Sequence, residues 1–202
     1  MEPKTITIAD EPAMPRAGIN LLKRRFGHAR CFLEYGAGGS TALAAHSGVP
    51  KIYSVESDTA YVAAVEAKVA AIGSDSALHA LHADIGPTGK FGHPLDRSGL
   101  ERWPTYSSRI WDIMDEAGDS PDLILIDGRF RVACCLYSFM RMPEHAILIF
   151  DDYFDREERY GVVTRFAPIV KRVDRLAMFR RPKAADLASV EQMYREYSVR
   201  PA

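Results

Sequence analysis

Two short segments constrain the fold of this chain more than any others. Asp122–Asp127 (DLILID) and Ala146–Asp151 (AILIFD) are almost unbroken apolar runs, each closed by an aspartate. A strand with one wet face alternates apolar and polar residues. A run apolar at nearly every position predicts a strand covered on both faces, as in a parallel sheet. Parallel neighbours need crossover connections, and helical patterns lie between the strand-like runs. Arg30–Tyr35 (RCFLEY), Lys51–Glu56 (KIYSVE) and Leu78–Ala83 predict three further strands. Helices are expected over Ser40–His46 and over Thr59–Ile72, where Val62, Val65, Val69 and Ile72 recur at helical spacing. Phe130–Arg141 is the expected crossover between the two apolar runs. Ile169–Arg180 predicts two strands turning at Asp174-Arg175, followed by a helix over Ala185–Tyr197. Strands alternating with helices define an α/β fold with a doubly wound, mostly parallel sheet.

The 202 residues fit one domain spanning 1–202, with 1–29 as an N-terminal helical segment. The basic run Lys23-Arg24-Arg25 suits a helix C-terminus, where positive charge meets the helix dipole. Residues 84–108 carry Gly86, Gly89, Gly92 and Gly99 among the aromatics Phe91, Trp103 and Tyr106. They are expected to form a long loop or insertion, either a lid or a surface loop anchored by its rings. Lys+Arg 26 against Asp+Glu 27 leaves a net charge of −1, so no nucleic-acid partner is expected. Cys31, Cys134 and Cys135 contain no C-x-x-C and predict neither a disulfide framework nor a zinc ribbon. No apolar run reaches the ~18 residues of a membrane span, and the first residues show no signal-peptide pattern. A cytoplasmic protein with no membrane partner is expected.

In a doubly wound sheet, ligands gather at the carboxyl ends of the strands. The polar signatures of this chain fall there. The central one is Glu34-Tyr35-Gly36-Ala37-Gly38-Gly39-Ser40-Thr41. A G-x-G turn between strand and helix lets backbone approach a ligand and aims helix N–H groups at it, although a tight turn without a ligand has the same pattern. The dinucleotide fingerprint wants a third glycine where this chain has Thr41. Glu56 follows Gly36 by 20 residues, the usual distance for a carboxylate that binds ribose hydroxyls. A carboxylate at Glu34 would repel a pyrophosphate but attract positive groups, and S-adenosylmethionine carries an ammonium and a sulfonium.

At these residues the chain resembles the class I S-adenosylmethionine-dependent methyltransferases. The matching pieces are LEYGAGGST (Leu33–Thr41), YSVESD (Tyr53–Asp58), LHAD (Leu81–Asp84), DLILIDG (Asp122–Gly128) and ILIFDDY (Ile147–Tyr153). The resemblance implies a Rossmann-like, seven-stranded sheet whose last strand is antiparallel. It implies that Glu34 and the Gly36–Gly38 turn hold the methionine portion of the cofactor, that Glu56 binds the ribose, and that Asp84 lies near the adenine. Tyr35, Ser40, Ser57 and Asp127 complete the expected cofactor-binding set.

Asp127 ends one buried strand, and Asp151-Asp152 end the next. These three are the expected catalytic residues. Clustered carboxylates repel unless a cation or proton intervenes, so a hard divalent ion is one expectation. The arrangement resembles that of metal-dependent small-molecule O-methyltransferases, in which Asp127, Asp151 and Asp152 would hold magnesium; here Asp152 stands where that pattern has Asn. The other account is metal-free: Arg129 and Arg131 neutralise the carboxylates, and such arginines also suit an anionic substrate. His93 would serve as a base if its loop folded over the site, and Tyr160 would close over the cofactor. The Asn/Asp-Pro-Pro-aromatic motif of amino-methylating enzymes is replaced by Asp127-Gly128-Arg129-Phe130. The expected activity is methyl transfer from S-adenosylmethionine to an oxygen of a small molecule or sugar. The alternatives are a methyltransferase-like binding or scaffold protein and, with less support, an NAD-type enzyme.

Overall fold

The computed structural model describes residues 6–183 and 186–201. β1 (Cys31–Tyr35), β2 (Lys51–Glu56), β3 (Ala77–His82), β4 (Leu123–Ile126), β5 (Ile147–Phe150), β6 (Lys171–Val173) and β7 (Leu176–Phe179) form one sheet in the order β3-β2-β1-β4-β5-β7-β6. The first five strands are parallel, and β7 is antiparallel to both β5 and β6. This is the Rossmann-like sheet expected, with its last strand reversed. β4 and β5 are buried at every position, as their unbroken apolar runs predict.

Side chains alternate between faces with a period of two, and this sorts the core into two layers. Cys31, Leu33 and Tyr35 of β1 pack on the same face as Ile124 and Ile126, while Phe32 packs on the other with Leu123 and Leu125. The first face is covered by α4 (Trp103–Glu116), α5 (Arg131–Arg141) and α7 (Leu187–Tyr197). The second is covered by α1 (Arg16–Phe26), α2 (Gly39–His46) and α3 (Thr59–Ile72). Cys134 and Cys135 lie fully buried on α5, so they serve as core.

Two regions differ from the sequence expectation. The loop after β3 is shorter than 84–108, because the chain turns helical at Leu100–Arg102 and continues into α4. Pro104 sits in the first turn of α4, where its missing N–H costs nothing, so it starts the helix. Trp103, Tyr106, Ile110, Trp111 and Met114 then form a buried stripe at helical spacing. At the N-terminus, helix is confined to Arg16–Phe26, with Lys23, Arg24 and Arg25 in its last turn. Residues 6–15 run without helix along α2, with Asp10 paired to His46 and Lys68 and Glu11 paired to Lys23. The expected helical segment at residues 1–5, and the helix start at Ala185, lie outside the described residues.

Backbone bonds extend the parallel ladders past the strand ends. Gly36 N donates to Val55 O at 2.9 Å, Asp127 N to Tyr35 O at 2.9 Å, and Asp151 N to Ile126 O at 3.0 Å. The glycine turn and the terminal aspartates therefore share one rim of the sheet.

Candidate active site

A cleft of about 590 Å³ opens at that rim. The volume falls within the ~300–1,000 Å³ of small-molecule sites. Its walls include the turn Gly36–Ser40, Glu56, Asp58, Asp127, Arg129 and Asp152.

Glycine is required in the turn for reasons internal to the protein. Gly36 has φ +96°, and a Cβ there would lie 2.8 Å from the Cα and N of Gly128. A Cβ on Gly128 would meet Gly36 N at 2.7 Å and the hydroxyl of Tyr106 at 2.3 Å. The β1–α2 turn thus packs backbone to backbone on the β4–α5 turn, which brings Asp127 beside it. Gly39 has a similar duty toward the N-terminal segment, since its Cβ would fall 2.3 Å from Glu11 O. At Gly38 a Cβ would meet only Tyr61, at an ordinary contact distance of 3.7 Å, and the turn lines the cleft here.

Glu34 lies beneath this turn and is fully buried, away from the cleft wall. Ser40 Oγ donates to its Oε2 at 2.5 Å, and Ser54 Oγ, its register partner on β2, donates to Oε1 at 2.9 Å. Thr41 Oγ1 also donates to Oε1 and accepts from Gly38 N. Burial outweighs these donors and pushes the Glu34 carboxyl up to about 7. Its observed contacts tie β1, β2 and α2 together under the turn. The Tyr35 side chain points into the α4 layer, where its hydroxyl donates to Ser107 O and accepts from Trp111 Nε1, both at 2.7 Å.

Glu56 does line the cleft, with its carboxyl held above the usual range by burial. Ser57 N and Oγ and Asp58 N all donate to its Oε1, at 2.6, 3.1 and 3.2 Å, which leaves Oε2 for a ligand. Asp84 does not line the cleft. Its Oδ1 accepts from Gly86 N at 3.0 Å, and its Oδ2 pairs with Arg102 Nε at 3.2 Å.

The loop after β3 does fold toward the site. Gly89 N donates to His93 O, and Leu95 N to Pro87 O, both at 2.8 Å, giving a compact tip with Phe91 and Gly92 on the cleft. His93 is exposed, and its Nε2 lies 2.6 Å from Arg129 Nη1. Tyr160 is buried against Phe150, with ring centroids 4.9 Å apart, and does not line the cleft.

Asp127, Asp151 and Asp152 converge, with one oxygen from each within 4.8 Å of the others. Three arginines already meet them. Arg175 Nε and Nη2 grip both oxygens of Asp151 at 2.8 Å. Arg131 spans the other two, 2.9 Å from Asp127 Oδ1 and 3.1 Å from Asp152 Oδ2. Arg175 and Arg156 reach Asp152 at 3.1 and 3.4 Å. A divalent ion needs carboxylate oxygens pointed at one centre, whereas guanidinium forks hold these. The residues as arranged do not fit magnesium. Burial and the neighbouring Asp151 and Asp152 push Asp127 up to about 7, against the pull of Arg131. Arg156 and Arg175 drew no functional expectation from the sequence. The position of Arg175 opposite Asp151 depends on the β6–β7 hairpin turning back beside β5, which no local pattern records.

A sheet of order 3-2-1-4-5-7-6 with a glycine turn and a cleft at its carboxyl rim defines a Rossmann-like α/β protein. The chain is 32% identical to a methyltransferase-like protein from Silicibacter pomeroyi, with a TM-score of 0.80 over 92% of this chain and 97% of that one. The chain belongs to the class I S-adenosylmethionine-dependent methyltransferase family. More distant structures share the fold. The O-methyltransferase TomG from Streptomyces achromogenes, in complex with SAM, is 14% identical with a TM-score of 0.53, covering 85% of this chain and 82% of its own. An O-methyltransferase from Bacillus cereus, in complex with SAH, is 13% identical with a TM-score of 0.54, covering 85% and 84%. No family model and no curated protein sequence matches the chain. Among the described residues, no helix is long and apolar enough to cross a membrane.

Proposed function

We propose that the protein transfers a methyl group from S-adenosylmethionine to an oxygen of a small molecule or sugar. The observation that carries this reading is the contact of Gly36 with Gly128, which sets Asp127 beside the glycine turn in one cleft. The cleft suits the cofactor: the turn lines it at Gly38, Glu56 Oε2 is available to ribose hydroxyls, and the N–H groups starting α2 suit its carboxylate. When bound, S-adenosylmethionine supplies a methyl group on a sulfonium, whose transfer leaves the neutral thioether S-adenosylhomocysteine.

Asp127 takes the proton of the acceptor hydroxyl. Its raised pKa makes it a stronger base than an ordinary carboxylate. Arg131 Nη2 fixes the carboxylate by its bond to Oδ1. Asp151 and Asp152 act through Arg175 and Arg131, as positioning residues of that framework. Thr41, engaged with Glu34 where a third glycine would be, speaks against a dinucleotide ligand.

Calorimetric titration with S-adenosylmethionine, S-adenosylhomocysteine and NAD tests the reading. Both sulfur ligands are expected to bind and NAD is not; tight NAD binding, or no sulfur-ligand binding by folded protein, sinks it. With an acceptor in hand, Asp127→Asn is expected to lower kcat by ~10²–10⁴-fold while S-adenosylhomocysteine still binds.

A further inference from the structure

The cleft carries charges of both signs. Its β2 side carries Glu56 and Asp58, and its β4–β5 side carries Arg129, Arg131, Arg156 and Arg175. Arg131 and Arg175 bind inward, on Asp127, Asp151 and Asp152. Arg129 and Arg156 stand at the mouth. Arg129 Nη1 approaches His93 Nε2 at 2.6 Å, a contact in which the guanidinium donates and the imidazole accepts as a neutral ring. Arg156, 43% exposed, reaches Tyr160 Oη at 3.3 Å and Asp152 Oδ2 at 3.4 Å. Partial burial, and after it the guanidiniums of Arg129 and Arg156, hold the His93 pKa below its usual value. The loop tip therefore sets its histidine against Arg129, while the preceding Gly92 packs on Ser57 and Glu56.

We propose that Arg129 and Arg156, at the mouth of the cleft beside His93, bind a carboxylate or phosphate group carried by the methyl acceptor. The assignment rests on the transferase reading above and adds the substrate class: small hydroxylated anions. Planar guanidinium forks match either oxyanion through paired N–H donors. The anion would lie on the arginine side of Asp127, with the hydroxyl to be methylated directed toward that carboxylate.

The test uses the whole protein loaded with S-adenosylhomocysteine, and inorganic phosphate as the probe. His93 ring resonances, assigned with His93→Gln, are followed by NMR as phosphate is added, with sodium chloride at matched ionic strength as the reference. Phosphate is expected to shift them saturably and to raise the pKa of the imidazole, because a bound anion favours its charged form. Arg129→Met or Arg156→Met is expected to weaken phosphate binding at least about tenfold. The second variant, on an exposed turn, serves if the first does not fold. A response no greater than that to chloride, or variants that bind phosphate like the wild type, overturns the proposal while bound S-adenosylhomocysteine leaves the transferase reading standing. Phosphate binding by a protein that takes up no S-adenosylhomocysteine overturns the acceptor assignment together with that reading.

Discussion

At the scale of single residues, the glycine turn serves packing before it serves a ligand. Gly128→Ala would drive a methyl group into Gly36 N and Tyr106 Oη, and the backbone partner cannot rotate away. Overpacking of this kind costs about 1–3 kcal/mol, to be read as a lower urea midpoint at unchanged slope. Glu34 makes a second, pH-dependent prediction. In the folded protein its proton is held to about 7, against an ordinary value of 4.5. The folded state therefore binds the extra proton, so this stabilisation is full below about 4.5 and lost as pH rises through about 7. Asp127 shifts in the same sense. Melting curves from pH 5 to 8.5 should show Tm falling across this window, and more shallowly in Glu34→Gln. An equal slope in the variant would refute the assignment to Glu34.

At the scale of elements, α4 is a core helix and the loop before it hangs from its first residue. Trp103 Nε1 donates to Ile85 O at 2.9 Å, and Gly99 packs so closely that a Cβ would overlap Ile85 O at 1.9 Å. Trp103→Phe keeps a ring in the core but leaves that carbonyl without its donor, at a cost of about 1–3 kcal/mol. Limited proteolysis should speed up between residues 86 and 98, while hydrogen exchange within α4 stays slow. Uniform loosening of both would show that the loop and α4 open as one unit. The strands were legible in the sequence because burial on both faces leaves unbroken apolar runs such as LILI and ILIF. The start of α4 was not, because Trp103-Pro104 and the glycines before it read locally as loop punctuation, and only the buried stripe Tyr106, Ile110 and Met114 reveals the helix. The acidic rim was legible from its place at the strand ends. Its partners were harder to read: Arg131 follows Asp127 by four residues, at the start of α5, whereas Arg175 reaches Asp151 from a hairpin far along the chain. Sequence spacing also could not show that Glu34 faces inward, which follows from its register opposite Ser54 and the position of α2 above it.

At the scale of the whole molecule, the acidic rim is held together by arginines contributed from separate elements: Arg131 from α5, Arg156 from the turn after β5, and Arg175 from the β6–β7 hairpin. Arg175 also donates to Ala13 O at 3.0 Å, so one side chain joins the N-terminal segment, the reversed hairpin and the end of β5. Asp151 is 1% exposed, and Arg175 takes both of its oxygens. Arg175→Met therefore strands a buried carboxylate, which costs about 3–5 kcal/mol. For a chain of this length that corresponds to a fall in Tm of about 6–20 °C. The same framework leaves a divalent ion no set of free carboxylates, so millimolar magnesium is expected to leave the Tm of the native protein unmoved, as is EDTA. A Tm that rose with magnesium concentration would mean that the arginines give way to the ion, and the metal-assisted account of the three aspartates would then replace the one argued from their salt bridges.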